Sequence, residues 1–153
     1  MISDTHGLLR EEAIAALSGS ASIIHAGDVG DPAILSRLRD IAPAVAVRGN
    51  VDTQPWAAVL PMTRVVEAEA HSIYVLHDLA RLDFDPRAAG ISAVISGHSH
   101  KPRIEERDGV LYLNPGSAGP RRFDLPVTVA RLTVVAGRLH AALVELKVGG
   151  AGS

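Results

Sequence analysis

The segment Ile91-Ser92-Ala93-Val94-Ile95-Ser96-Gly97-His98-Ser99-His100 joins a short apolar run to two alternating histidines. The run, bounded by turn signals, predicts a buried strand, and a period of two places His98 and His100 on one side of extended backbone. Two imidazoles at the mouth of a strand suit a metal, because each offers a neutral ring nitrogen with no carboxylate to desolvate. The pair alone is equally compatible with two surface histidines. Donors arriving from elsewhere in the chain decide between the readings.

Other apolar runs end in the same kind of polar residue. Ser22–Ala26 runs into Gly27-Asp28, Ala44–Arg48 into Gly49-Asn50-Val51-Asp52, and Ser72–Leu76 into His77-Asp78, while Met1-Ile2 leads directly into Ser3-Asp4-Thr5-His6-Gly7. Two helices are predicted between the first runs. Leu8–Leu17 carries Leu9, Ala13, Ala16 and Leu17 on one face, and Asp31-Pro32 reads as a cap with proline in the first turn of a helix reaching about Asp40. Strand and helix in alternation predict a parallel sheet, whose ligands gather beyond the carboxyl ends of the strands. Asp4, Asp28 and Asn50 all fall there. Asp4-Thr5-His6 is by itself also ordinary turn or capping chemistry, and His25, inside its strand, reads as a core or supporting residue before a ligand.

The second half is richer in hairpins. Thr63–Glu69 pairs with Ser72–Leu76, leaving His71 in an exposed turn; Asp85–Gly90 reads as a short helix. Ile104–Arg107 and Val110–Leu113 pair about Asp108-Gly109, and Thr128–Val134 and Leu139–Leu146 about Ala136-Gly137. One domain over residues 1–148 is expected, with a frayed tail over 149–153.

Composition removes several classes of function. There is no cysteine, so thiolate metal sites, disulfides and a cysteine nucleophile are all excluded. Fifteen basic residues against 17 acidic ones, a formal net charge of -2, leave no basic footprint for nucleic acid. No apolar run approaches the roughly 20 residues of a membrane span. Without a secretory signal, a cytoplasmic protein is expected.

Collected, the polar residues at strand ends are Asp4, His6, Asp28, Asn50, His77, His98 and His100: oxygen and nitrogen donors enough for two divalent cations. The ordered set D-x-H, G-D, G-N-x-D, H, G-H-x-H, followed by Asn114-Pro115-Gly116-Ser117, resembles the calcineurin-like metallophosphoesterases, and most closely their compact bacterial and archaeal phosphodiesterase branch. The resemblance implies a four-layer αββα sandwich of two mixed sheets flanked by helices. It also implies a dinuclear centre at one edge, with Asp4, His6 and His100 on one metal, Asn50, His77 and His98 on the other, and Asp28 bridging. Asp28, Asn50 and Asp52 would be the catalytic set, Asp52 as a supporting acid, with Asn114 and Ser117 shaping the pocket floor.

The activity implied is a phosphodiesterase using hydroxide activated by two metal ions, acting on a small phosphoester. Manganese suits the donor set, while iron, zinc, magnesium or nickel also fit. A phosphomonoesterase on the same centre is the first alternative, with Arg121 or Arg122 as the extra cation if they are more than solvent-exposed. A non-catalytic protein-binding scaffold of the same fold is the second. The family also admits a homodimer, with no interface legible in the residues. Three departures from the family pattern stand out: Val51 where many relatives carry a histidine that protonates the leaving group, Asp78 where glycine is usual, and a first strand of very few apolar residues.

Overall fold

The structure, a computed structural model, describes residues 1–149. The tail expected over 149–153 therefore lies outside the described residues from position 150 onward. Among the described residues, two α-helices and nine strands follow in order: α1 (Glu11–Leu17), β1 (Ile23–His25), α2 (Pro32–Arg39), β2 (Ala44–Ala46), β3 (Thr63–Ala68), β4 (His71–Leu76), β5 (Ile91–Ile95), β6 (Arg103–Arg107), β7 (Val110–Asn114), β8 (Thr128–Val135) and β9 (Arg138–Glu145). The architecture is mixed α/β.

The larger sheet has five strands in the order β3-β4-β5-β7-β6. Its centre, β4-β5-β7, is parallel, and β3 and β6 fold back antiparallel at the edges. The apolar run of β5 is the middle strand and is buried over Ala93, Val94 and Ile95, as a strand covered on both faces requires.

The smaller sheet is stitched by the first two residues. β1 pairs in parallel with β2, and β8 with β9 antiparallel. Ile2 bridges to His25, while Met1 and Ala130 exchange both backbone hydrogen bonds at 2.7 and 3.0 Å. The short first strand thus occupies the centre of a continuous ribbon β2-β1-(Met1-Ile2)-β8-β9. Four backbone hydrogen bonds, to Ile24, Ala26 and twice to Ala130, hold it in place.

Alternation of side chains decides what lies between the layers. Ile24, Ala26 and Val47 face Ile73, Val75, Ala93, Ile95 and Leu113 across the two sheets, whereas Ile2, Ile23, Ala44 and Ala46 pack on the helical residues Ala13, Leu17, Ile34, Leu35 and Leu38. α2 starts as its sequence predicts: Pro32 occupies the first turn and the Asp31 carboxylate accepts from the Ala33 N–H at 2.9 Å. α1 begins later than expected, at Glu11, because the backbone is still extended at Arg10, with φ -77° and ψ 146°, where it caps the helix.

The outer face of the large sheet has a thinner cover. Leu76, Val94 and Val110 are shielded by Leu79 and Leu82 around a 3₁₀ turn, Leu79–Arg81. The helix expected over Asp85–Gly90 is instead a set of hydrogen-bonded turns, closed by Ala89 N–H on Asp85 and Ile91 N–H on Pro86. His71, expected in an exposed turn, opens β4, and its ring bonds Ser92 Oγ at 2.9 Å and the Gly137 carbonyl at 2.8 Å. Among the described residues no helix is long and apolar enough to cross a membrane.

Because one carboxylate satisfies an otherwise orphaned N–H of α2, Asp31→Ala should cost about 1 kcal/mol, read as a lowered urea midpoint at unchanged slope.

Candidate metal centre

The seven strand-end residues converge on one edge of the sandwich. Among the described residues, Asp4, His6 and His100 form one group, and Asp28, His77 and His98 another, with the donor atoms of each within 4.8 Å of one another. Asn50 joins the second, its side-chain oxygen 3.1 Å from His77 Nε2 and 3.2 Å from His98 Nδ1. Asp28 lies between them, Oδ2 standing 3.6 Å from His6 Nε2 and 3.1 Å from His77 Nε2.

Each carboxylate has one oxygen tied back and one left for the centre. Asp4 Oδ2 accepts from Ser3 Oγ at 2.7 Å and from the His98 N–H at 3.1 Å. Asp4 Oδ1 is buried with no hydrogen-bond partner and faces Nε2 of His100, His6 and His77 at 3.4, 3.7 and 3.9 Å. Asp28 Oδ1 accepts from the Val51 N–H at 3.0 Å, so Val51 serves through its backbone. A buried carboxylate oxygen with no donor, ringed by nitrogens that are themselves lone-pair donors, is what a cation requires. The residues fit a divalent metal.

Electrostatics agree. Burial alone would raise both carboxylates. Hydrogen bonds and nearby imidazoles override it, from His6 and Ser3 at Asp4 and from His77 and Val51 at Asp28, so Asp4 is lowered and Asp28 falls to about 2. Burial likewise opposes charge on His77, yet its bond to Asp28 and the field of Asp4 leave it raised. His77 Nδ1 donates to the Ala26 carbonyl at 2.8 Å, so Nε2 is the atom turned to the centre, and positive charge is stabilised there. His100 is lowered, by burial first and by Arg122 among its neighbours.

The backbone is held in an unusual conformation at these positions. Asp4, His6, Asp28, His98 and His100 have φ of 53°, 46°, 57°, 73° and 63°, the left-handed region that non-glycine residues seldom visit. Neighbouring glycines allow the close approach. A Cβ on Gly97 would lie 2.6 Å from Asp4 Oδ2, and one on Gly49 would meet the Asp28 backbone nitrogen at 2.2 Å.

Asp52, expected in the catalytic set as a supporting acid, directs both side-chain oxygens at the backbone. Its oxygens accept from the backbone N–H groups of Val29, Gly30 and Gly49 at 3.2, 3.0 and 2.9 Å, tying the Asp28 loop to the Asn50 loop. Asn114 donates to the Gly97 carbonyl, and Ser117 Oγ to the Asp4 carbonyl; both brace the loops from behind. Asp78 caps the Ala80 N–H at 3.0 Å, and Arg121 and Arg122 are exposed. Sequence reasoning missed Ser3 and Thr5, whose ordinary residue types carry no signal apart from their neighbours. Thr5 Oγ donates to the Val29 carbonyl at 2.8 Å and lies 3.0 Å from His25 Nε2, and His25 Nδ1 accepts from the Gly27 N–H.

Residues 1–137 match the calcineurin-like phosphoesterase superfamily domain. The chain belongs to that superfamily. A probable metallophosphoesterase of Methanothermobacter thermautotrophicus is 34% identical over 145 residues, covering 86% of this chain and 84% of the relative. Among solved structures, an archaeal phosphodiesterase aligns with a TM-score of 0.77 at 22% identity, covering 94% of this chain and 97% of that one. Vacuolar Protein Sorting 29 of Cryptosporidium parvum aligns with a TM-score of 0.70 at 21% identity, covering 95% of each. Both share the fold; the domain match carries phosphoesterase membership and a fold that binds divalent metals.

His25 gives this centre a measurable acid sensitivity. Fully buried, it is lowered to about 4, chiefly by desolvation, against carboxylates that pull the other way. The unfolded chain takes up its proton near pH 6.5 and the folded chain only near 4, so stability falls as pH drops through that window. In chelator, His25→Gln should lose about 2 kcal/mol less than wild type between about pH 7.5 and about pH 5, read from urea midpoints.

Proposed function

We propose that the chain is a metal-dependent phosphodiesterase. The observation that carries this reading is the orphaned, buried Asp4 Oδ1 facing three imidazoles, beside an Asp28 oxygen shared by both donor groups. Asp4, His6, His100 and Asp28 would hold one divalent ion, and Asp28, Asn50, His77 and His98 the other. Manganese is our first choice for this oxygen-rich set with several imidazoles, ahead of iron, zinc, magnesium or nickel. Bound there, two divalent ions polarise the phosphoryl oxygens, acidify water and clamp an in-line displacement.

The chain's own residues supply the rest. Two ionised carboxylates do not neutralise two divalent ions, so the site stays attractive to an anionic ester. The Asn50 side-chain oxygen faces the histidines, which leaves its NH₂ to donate to a phosphoryl oxygen. Asp52 and Ser117 hold the loops that carry Asn50, Asp28 and Asp4. A dianionic monoester would call for a further cation at the phosphate, and Arg121 and Arg122, the two candidates in the sequence, are exposed.

The similarity to Vacuolar Protein Sorting 29 supports a second reading, a protein-binding scaffold on this fold. Such a scaffold has no need of a complete donor set. Both readings meet the same experiment: reconstitution with Mn²⁺, Zn²⁺, Mg²⁺, Ni²⁺ or Fe²⁺, followed by rates on bis(4-nitrophenyl) phosphate and 4-nitrophenyl phosphate. The phosphodiesterase should prefer the diester and lose activity in chelator. Asp28→Asn should lower kcat on the order of 100-fold or more, because several kcal/mol of charge stabilisation is lost. No metal-stimulated hydrolysis of either ester would leave the scaffold.

Val51 adds a second expectation. Its side chain is 43% exposed beside Asp28 and has no proton to give. Methyl 4-nitrophenyl phosphate, which expels a stabilised phenolate, should be cleaved about 10²- to 10⁴-fold faster than dimethyl phosphate relative to their uncatalysed rates. Equal enhancement of the two would mean that another group protonates the alkoxide.

A further inference from the structure

A recess opens directly beside the second donor group, where Asn50, His77 and His98 form one of its walls. Its volume is about 310 Å³, within the range that takes a small organic group. The remaining walls are Arg48, Met62, Thr63, Leu76, Asp78 and Arg81. None of these six was singled out by the family pattern except Asp78.

The chemistry of the walls selects an occupant. Met62 and Leu76 give a soft apolar surface, and thioethers make favourable contacts with aromatic rings. Arg48 is fixed in its plane, Nε and Nη2 both donating to the Leu60 carbonyl at 3.2 and 3.0 Å. A planar guanidinium so held offers a stacking face for a π system. Arg81 ends the 3₁₀ turn at the rim, and Asp78, bound on one oxygen by the Ala80 N–H, opposes a second anionic group in the same space. A small alkyl group would leave these surfaces unfilled, and a second phosphate would meet the Asp78 carboxylate. A flat aromatic group satisfies both.

The arginine guanidiniums do not release a proton, and Met62 and Leu76 have none to give, so these walls do nothing to help an alkoxide depart. The recess suits the arm of the ester that stays attached to phosphorus. We propose that the recess between β3, β4 and the Leu79–Arg81 turn binds an aromatic, aryl or nucleobase-like, retained arm of the phosphodiester substrate. This rests on the phosphodiesterase reading, and its test separates the two.

Phenyl 4-nitrophenyl phosphate and methyl 4-nitrophenyl phosphate share a leaving group and differ only in the retained arm. In the metal-reconstituted full chain the phenyl ester should have a KM about tenfold or more below that of the methyl ester. Met62→Asp and Arg81→Ala should each collapse that ratio toward one. Val65→Asp, an exposed change on the same edge strand outside the recess, should preserve it. A ratio near one in wild type, or a ratio the two recess variants leave intact, would overturn the proposal. An equal loss on both esters would also overturn it, placing the leaving group there instead.

A second readout needs no turnover. The chain has two methionines, Met1 and Met62, of which Met1 is in the core between the sheets. In Zn²⁺-loaded protein with ¹³C-methyl methionine, benzylphosphonate, a non-hydrolysed isostere of a phenyl ester, should shift Met62 and leave Met1 in place. Ethylphosphonate should move neither. An unmoved Met62 alongside active hydrolysis sinks the recess assignment alone; absent hydrolysis with every metal sinks the phosphodiesterase reading, while a Met62 shift would still support an aryl site.

Discussion

Everything at the edge of this sandwich depends on negative charge buried without enough hydrogen to satisfy it. Asp4 has no exposed surface, and one of its oxygens has no donor at all. Desolvating a carboxylate costs several kcal/mol unless opposite charge or hydrogen bonds compensate. Among the described residues, the groups facing that oxygen are imidazole nitrogens, two of which, on His6 and His77, also face Asp28. The arrangement is coherent when positive charge sits among them, and the raised His77 expresses the same demand in protons.

The fold supports that arrangement against its own preferences. Five of the donor-bearing residues occupy left-handed backbone, each at a cost of order 1–3 kcal/mol. The surrounding hydrogen bonds over-determine them: Asp4 N–H to Gly27, His6 N–H to Asp28, Gly7 N–H to Val29 and Ala118 N–H to Ser3 lace the first loop to its neighbours. Asp52 closes the second and third loops with both of its oxygens. Helical and sheet packing bring strand ends together only to within several ångströms; these laces bring side-chain atoms to within 4.8 Å.

Much of this was legible in residue order because strand ends announce themselves. An apolar run that stops at Gly-Asp, Gly-Asn or Gly-His-x-His marks both the strand and the group delivered at its end, so the parallel pairing and the strand-end residues follow from one pattern. Places where the pattern failed have physical causes. Asp85–Gly90 has a proline-led opening suited to a helix, but six residues close into turns before a helical ladder is established. His71 looks like a turn residue because its role comes from Ser92 and Gly137, both far away in sequence. Thr5 and the walls of the Met62 recess were invisible for the same reason, since their chemistry arises when separate segments meet, whereas Ser3 donates to its neighbour Asp4 and is an ordinary residue type with no signal of its own.

The ribbon through Met1 and Ile2 has a consequence for the timing of assembly. One neighbour of that ribbon, β1, emerges soon after it during synthesis, but the other is Ala130, 129 positions away. Long-range pairing of this kind is slow, and domains made from the amino end forward must wait for it. Asp4 and His6 hang from a strand with one open side until the β8-β9 hairpin leaves the ribosome. The donor-bearing edge is therefore among the last parts of the domain to become rigid during synthesis, because the strand that carries Asp4 and His6 waits for a partner 129 positions further on.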